Sequence, residues 1–301
     1  MRIGLVTDST ARLGPAEAQR LRDELAGHFD IVELTVSVDG AERPDSQWSP
    51  ADVCTAMAAG LPVTTSMPAA GDFADAYRRL IADGAEALIV LTLPAELSGT
   101  WQAARAAADE VMAEGDATIA VIDSRTISAG LAGAVAIAAA GAQLEPDQLA
   151  AEVADWCSEE TRAFFVPASL EYLRRGGRIG AASSLIGRAL SIVPVLGLRD
   201  GAVVPLARVR TRARAEERMA ALLLASAQEF ADRYPGRGIE IVLLHAEETA
   251  AAAGAPFARL HEQVSALPLP EGTRVSSAAI STVVTAHVGP GTVGAFVQTA
   301  P

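Results

Sequence analysis

Three short segments gather hydroxyls where a chain could hold an anion: Thr7-Asp8-Ser9-Thr10, Thr64-Thr65-Ser66 and Ser98-Gly99-Thr100. The third is the most informative. An apolar run over residues 87–93 has the length of a buried strand, a short loop follows, and Ser98-Gly99-Thr100 then opens an Ala-rich, helix-favouring segment. Unbonded N–H groups at a helix start, beside two hydroxyls, form a cradle for a carboxylate or phosphate. Gly99 lets a ligand approach the backbone closely. Each loop taken alone reads first as an ordinary cap or turn, and Asp8 suits equally a cap or a group that orients a hydroxyl. An anion site with no evident base points to binding before catalysis.

His287 lies in Thr285-Ala286-His287-Val288-Gly289-Pro290-Gly291-Thr292-Val293-Gly294. The last six residues match G-x-G-x-x-G, but a dinucleotide fold needs a following helix, a second strand and an acidic residue about twenty positions on. The glycines read instead as a tight turn leading into a terminal helix. A second cluster is basic: ten arginines stand between Arg174 and Arg218 against three acids, a local +7 in a chain of net charge -13. Arg208, Arg210, Arg212 and Arg214 alternate, so an extended start to that segment would put them on one face. Arginine forks suit phosphate, carboxylate or an acidic partner surface.

The chain has 301 residues, half of them hydrophobic but only 4% aromatic, so its interior is built from Ala, Val, Leu and Ile. That length suits two domains. The acidic balance argues against a nucleic-acid coat or attraction to anionic membranes. Cys54 and Cys157 lack CxxC spacing, as expected in a reducing cytoplasm. There is no Walker A sequence, HExxH, G-x-S-x-G or metal-spaced Cys/His set.

The first half alternates strand-like and helix-like segments, which predicts a mostly parallel sheet covered by helices. Strands are expected over residues 3–7, 31–38, 87–93 and 118–122, the first being too short an apolar run for a signal peptide. Helix starts fall at Pro15, Ser49-Pro50, Gly71-Asp72 and Pro146, and the uncharged stretch 127–144 reads as a buried helix. The helix over 146–160 bridges to a second lobe. There, a short helix at 169–174 precedes the Gly176-Gly177 turn, and Asp200-Gly201 marks a hairpin between 195–198 and 203–207. Helices over 211–234 and 247–266 and strands over 239–244, 274–279 and 282–286 complete the reading.

Taken in order, these segments resemble the DegV family, fatty-acid-binding proteins that present acyl chains to a separate bacterial fatty acid kinase. The resemblance rests on Thr7-Asp8-Ser9-Thr10, Thr65-Ser66-Met67-Pro68, Leu97-Ser98-Gly99-Thr100-Trp101-Gln102 and Val121-Ile122-Asp123-Ser124. It continues through Glu171-Tyr172-Leu173-Arg174-Arg175-Gly176-Gly177-Arg178-Ile179-Gly180, Asp200-Gly201, Arg208-Val209-Arg210-Thr211 and His287-Val288-Gly289-Pro290-Gly291. It implies an α/β fold of two lobes, residues 1–160 and 161–301, each a mostly parallel or mixed sheet with flanking helices, with a fatty acid between them. The carboxylate would be held by Thr65, Ser66, Ser98 and His287, with Gly99 and Thr100 completing the cradle. Arg174, Arg178, Arg208 and Arg210 would dock the kinase. The family's Gln and Ser in the first loop are here Met67 and Ala69, two serines before Ser-Gly-Thr are Pro94-Ala95, and Ile-Lys-Pro becomes Ile192-Val193-Pro194.

The expected function is therefore that of a non-catalytic cytoplasmic carrier in phospholipid synthesis. It would bind a long-chain fatty acid, present its carboxylate for phosphorylation and retain the acyl phosphate. No cofactor, metal or nucleic acid is expected, and at most transient membrane contact. Each buried methylene contributes about 0.8 kcal/mol, so a tail of around fourteen gives on the order of 11 kcal/mol before ordering costs. Hydroxyls, N–H groups and one histidine hold a carboxylate while leaving an oxygen open to phosphorylation; a fixed arginine fork would block it. The alternative is a Ser/His acyl hydrolase using Ser98 and His287. A DNA-binding regulator using the arginines is disfavoured by the acidic charge and the lack of a helix-turn-helix signature.

Overall fold

The computed structural model describes residues 1–185, 192–247 and 254–300. The first half of the chain runs β1 (Ile3–Asp8), α1 (Pro15–Glu24), β2 (Phe29–Val32), β3 (Thr35–Val38), β4 (Ala41–Pro44), α2 (Pro50–Ala58) and β5 (Val63–Ser66). It continues with α3 (Ala70–Ala82), β6 (Ala87–Thr92), α4 (Thr100–Met112), β7 (Thr118–Asp123), α5 (Ala129–Ala140) and α6 (Pro146–Glu159). The second half runs β8 (Thr161–Val166), α7 (Glu171–Arg175), β9 (Val193–Arg199), β10 (Ala202–Val209) and α8 (Arg212–Arg233). It ends with β11 (Ile239–His245), α9 (Gly254–Ser265), β12 (Arg274–Ala279), α10 (Thr282–Val288) and β13 (Val293–Thr299).

Contacts divide the chain into two units, Met1–Thr35 with Ser66–Glu159, and Val36–Thr65 with Glu160–Ala300. The segment Val36–Thr65, which the linear reading puts in a first lobe ending at 160, groups with the second unit. The cause is local: the expected strand 31–38 is broken at Glu33-Leu34, where Leu34 N–H donates to Ser9 Oγ at 3.1 Å. Its halves join different sheets.

In the first unit a parallel sheet has the order β2-β1-β6-β7. Strands β1 and β6 are buried along their whole length, as parallel strands covered on both faces must be. On one face Leu5, Ile89 and Leu91 pack with Leu21 of α1, Leu131 of α5 and Trp156 of α6. On the other, Val6, Leu88 and Val90 pack with Phe73 and Tyr77 of α3 and Ala104 of α4. The uncharged stretch 127–144 is indeed a buried helix, α5, apolar on all sides.

In the second unit a mixed six-stranded sheet has the order β10-β9-β8-β13-β11-β12, and β4-β3-β5 form a separate small sheet. Met219, Leu223 and Phe230 of α8 and Phe257 and Leu260 of α9 pack with Val195, Ile241, Leu243 and Val297. Asp200 and Gly201 both have positive φ, +50° and +80°, the two-residue turn whose twist suits a β-hairpin, and β9 and β10 pair across it.

Two expectations fail here. Residues 282–286, a β-branched run read as a strand, form the helix α10, because Ser281 caps it (Oγ accepts from Val284 N–H at 3.2 Å). Thr285 Oγ1 also folds back onto Ser281 O at 3.0 Å. The segment after Gly294 is the strand β13, not a helix; it is buried on both faces between β8 and β11, so it shows no alternation. The helix expected over 247–266 is present as α9 (Gly254–Ser265); the first part of that expectation, residues 248–253, lies outside the described residues.

Candidate functional site

In the first unit, hydrogen bonds donated to two carboxylates set the loop that carries Ser98. Asp8, fully buried at the end of β1, accepts Thr10 N–H at 3.0 Å and Thr10 O–H at 2.5 Å on Oδ1, and Leu93 N–H at 2.6 Å on Oδ2. It plays both roles the sequence allowed it, capping the turn through Thr10 N–H and orienting the Thr10 hydroxyl, and it also ties β1 to the end of β6. Asp123, ending β7, accepts Ala95 N–H at 3.2 Å and Arg125 N–H at 3.1 Å. A turn then closes through Ser98 N–H to Pro94 O at 3.1 Å.

Ser98 Oγ lies 2.9 Å from Thr100 Oγ1 and accepts Thr100 N–H at 3.3 Å. Thr100 starts α4, whose first-turn N–H groups have no partner within the helix. Gly99 is not open on its side-chain side: a Cβ there would come within 2.5 Å of Met67 Sδ. The close approach that a glycine permits is used by a thioether, and Met67 is itself 52% exposed. Ser66, at the end of β5, is exposed.

In the second unit, Thr65 of β5 meets His287, Oγ1 to Nε2, at 2.8 Å. His287 sits in the last turn of α10 rather than in the glycine turn itself. Burial, and secondarily the Arg178 guanidinium, push its imidazole down from 6.5 to about 4, so the ring is neutral at pH 7. A helix C-terminus works the other way but typically contributes only about 0.3–1 kcal/mol, too little to reverse this. Among the described residues His287 Nδ1 is buried with no hydrogen-bond partner. A buried N–H left unpaired costs more than an unpaired ring lone pair, so the proton belongs on Nε2. Nε2–H then donates to Thr65 Oγ1, and the Thr65 hydroxyl hydrogen remains available to an acceptor.

Sequence reading missed two supports of this ring. A Cβ at Gly176 would overlap His287 Nδ1, and one at Gly289 (φ +83°) would overlap the Tyr172 ring. The Gly176-Gly177 pair signalled a turn but not what lay against it. The structure thus brings Thr65 to His287 and Ser98 to Thr100, the two pairs lying in different units.

The arginines separate into kinds. Arg174 forms a bidentate pair with Glu171 (2.7 and 2.6 Å), and Arg175 shares the same carboxylate at 2.8 Å. Those bonds hold the Glu171 carboxyl down at about 2. Arg178 NH1 donates to Gly176 O at 2.5 Å, while Arg208 and Arg210 are exposed at the end of β10 and just beyond it. Arg212 is no member of a common solvated face: it is half-buried, because α8 begins there and turns it inward against Glu216 at 3.1 Å. Arg188 lies outside the described residues.

Among the described residues, no group of three or more His, Cys, Asp and Glu is placed to hold a metal ion, and no helix is long and apolar enough to cross a membrane. The family model described as "Uncharacterised protein, DegV family" matches residues 2–300. A DegV domain-containing protein of Streptomyces coelicolor is 37% identical, the alignment covering 98% of each chain. One from Mycobacterium bovis is 33% identical over 99% of this chain and 98% of its own. Among solved structures, one described as fatty acid binding of a DegV family protein from Thermus thermophilus superposes with a TM-score of 0.82 at 31% identity, covering 99% of this chain and all of that one. The fold is also that of a Streptococcus agalactiae DegV family protein, with a TM-score of 0.83 at 23% identity over 100% and 99% of the two chains. The chain belongs to the DegV family.

Proposed function

We propose that this protein is a carrier that binds a long-chain fatty acid, presents its carboxylate to a separate fatty acid kinase in the cytoplasm, and retains the acyl phosphate. Thr65, Ser66, Ser98, Gly99, Thr100 and His287 are the candidates to hold the carboxylate. The observation that carries the reading is the neutral His287 donating to Thr65, which leaves the Thr65 O–H free to donate. A hydroxyl oriented in this way binds a carboxylate without placing a fixed cation on the oxygen that must accept phosphate. Each such bond to a charged group contributes roughly 1.5–3 kcal/mol. The Thermus thermophilus relative supports the ligand class. Arg174, Arg178, Arg208 and Arg210 are the proposed kinase-docking residues, on their exposure and chemistry.

The hydrolase alternative is not favoured. A Ser/His mechanism needs a carboxylate on the far nitrogen of the base and an imidazole that titrates near the working pH. His287 has neither, since Nδ1 has no partner among the described residues and the ring is held at about 4. The deciding experiment is mass spectrometry of an organic extract from purified, never-denatured protein. Stoichiometric long-chain fatty acid is expected. A clean extract, with no uptake on incubation with fatty acid, would overturn the carrier reading.

A further inference from the structure

The turn that follows His287 is held by charged groups that carboxylate binding does not use. Gly289 and Gly291 both have positive φ, +83° and +74°, on either side of Pro290. The Gly291 peptide is gripped from both sides. Its carbonyl accepts from Arg212 NH2 at 2.6 Å, and its N–H donates to Glu247 Oε1 at 2.5 Å. Arg212 is itself fixed: Nε donates to Glu216 Oε1 at 3.1 Å, and NH2 also reaches Val166 O at 3.4 Å. Glu216, fully buried on α8, takes a second arginine from α9, Arg259, through Nε at 2.8 Å and NH2 at 3.2 Å.

Burying a carboxylate costs several kcal/mol unless it is fully paired, and apolar packing would stabilise a turn as well. What two arginines around one glutamate add is direction: planar forks with donors at fixed angles. Here the direction ends on the Gly291 carbonyl, four residues beyond His287. The intervening backbone is also anchored, by Gly289 N–H to Thr285 O at 2.8 Å and Thr292 Oγ1–H to Val288 O at 2.8 Å. The last turn of α10 and the glycine turn are therefore joined by hydrogen bonds on both sides of Gly291.

We infer that Arg212 is a positioning residue for the head-group site: oriented by Glu216 and Arg259, it fixes the Gly289–Gly291 turn and through it the His287 ring against Thr65. The inference rests on the proposed carboxylate role of His287 and adds residues that never touch the ligand. Arg212 thereby leaves the set of exposed arginines and joins the ligand site at one remove.

The test uses the full-length protein with Arg212→Met and Arg212→Lys, and Arg214→Met as control, since Arg214 is an exposed arginine paired with Glu217 of its own helix at 2.6 Å. Two quantities are read: the 15N imidazole signature of His287 in lipid-free protein, which reports the Nε2–H bond to Thr65, and the dissociation rate of bound fatty acid. Arg212→Met is expected to lose the Nε2 signature and to release fatty acid about tenfold faster, the loss of one charge-assisted bond. Arg212→Lys recovers part of both, and Arg214→Met changes neither. A folded Arg212→Met protein with an unchanged His287 signature and rate would overturn the inference, as would Arg212→Lys behaving like wild type if the Met variant fails to fold. A wild-type protein that binds no fatty acid would instead sink the carrier reading, while the lipid-free His287 spectrum would still decide the role of Arg212.

Discussion

Ser98 and Thr100 stand two residues apart, and their hydroxyls meet because a loop ends and a helix begins there. Thr65 and His287 stand 222 residues apart, and their bond exists only once β5 and α10 have been brought together. The first pair is a local device with backbone N–H groups in reserve. The second is a tertiary device with nothing in reserve: among the described residues Nδ1 has no hydrogen-bond partner, and the glycines at 176 and 289 leave no slack around the ring or the turn behind it. If both serve one carboxylate, the tertiary pair should be the more sensitive to mutation.

The largest expected difference is in ligand affinity. His287→Ala removes the group that orients the Thr65 hydroxyl and leaves a polar hollow, so fatty-acid affinity should fall about 100-fold, roughly the worth of a charge-assisted bond plus its orientation. Ser98→Ala leaves Thr100 and the α4 N–H groups in place and should cost about tenfold. Titration with a fluorescent fatty acid measures both, and equal losses would erase the distinction. Next comes Gly176→Ala, whose methyl group must displace His287 Nδ1. Overpacking of this kind costs about 1–3 kcal/mol, so a lowered denaturation midpoint should accompany weakened binding. The same change at Gly177, where a Cβ meets nothing within 4 Å, supplies the control for strain alone, because its φ is +71°.

A third difference is in acid sensitivity. The His287 imidazole takes up a proton near 6.5 when unfolded but only at about 4 when folded. The unfolded chain therefore binds more protons between those values. Stability falls as pH drops from 6.5 toward 4 and levels off below, with a slope of at most about 1.4 kcal/mol per pH unit. Denaturation of wild type and His287→Gln across this window should show the extra slope in wild type alone. The Ser98–Thr100 pair carries no titrating group and contributes none.

The same contrast explains what could be read from the sequence. Ser98-Gly99-Thr100, the Asp200-Gly201 hairpin and the parallel sheet of the first unit are written in local patterns: an apolar run, a cap, a positive-φ turn. Thr65 and His287 could be joined only through family resemblance, since no periodicity links residues so far apart. Local propensity misled where a cap outweighed it, as at Ser281 ahead of the β-branched residues 282–285, and where burial on both faces of β13 removed the alternation that marks a strand. Arg212 looked like its neighbours Arg210 and Arg214 because direction depends on where α8 begins. The space over Gly99 was legible as space, but not as the place of Met67.

The smallest expected effect on ligand binding belongs to the exposed arginines, and it separates docking from holding. Arg174 is paired with Glu171 at the surface, Arg208 is exposed, and solvent-exposed ion pairs contribute about 0–1 kcal/mol to stability. The double variant Arg174→Ala with Arg208→Ala should therefore leave both the denaturation midpoint and fatty-acid affinity within error of wild type. If those side chains dock a kinase, turnover of bound fatty acid by a purified fatty acid kinase with ATP should fall about tenfold or more, as removal of charged rim contacts slows association. Unchanged turnover would make the cluster a solvated face. Arg178 does not belong in that test, because its guanidinium also holds the His287 imidazole down. A variant there would mix partner docking with the state of the ring, whereas neither Arg174 nor Arg208 is among the charges that shift it.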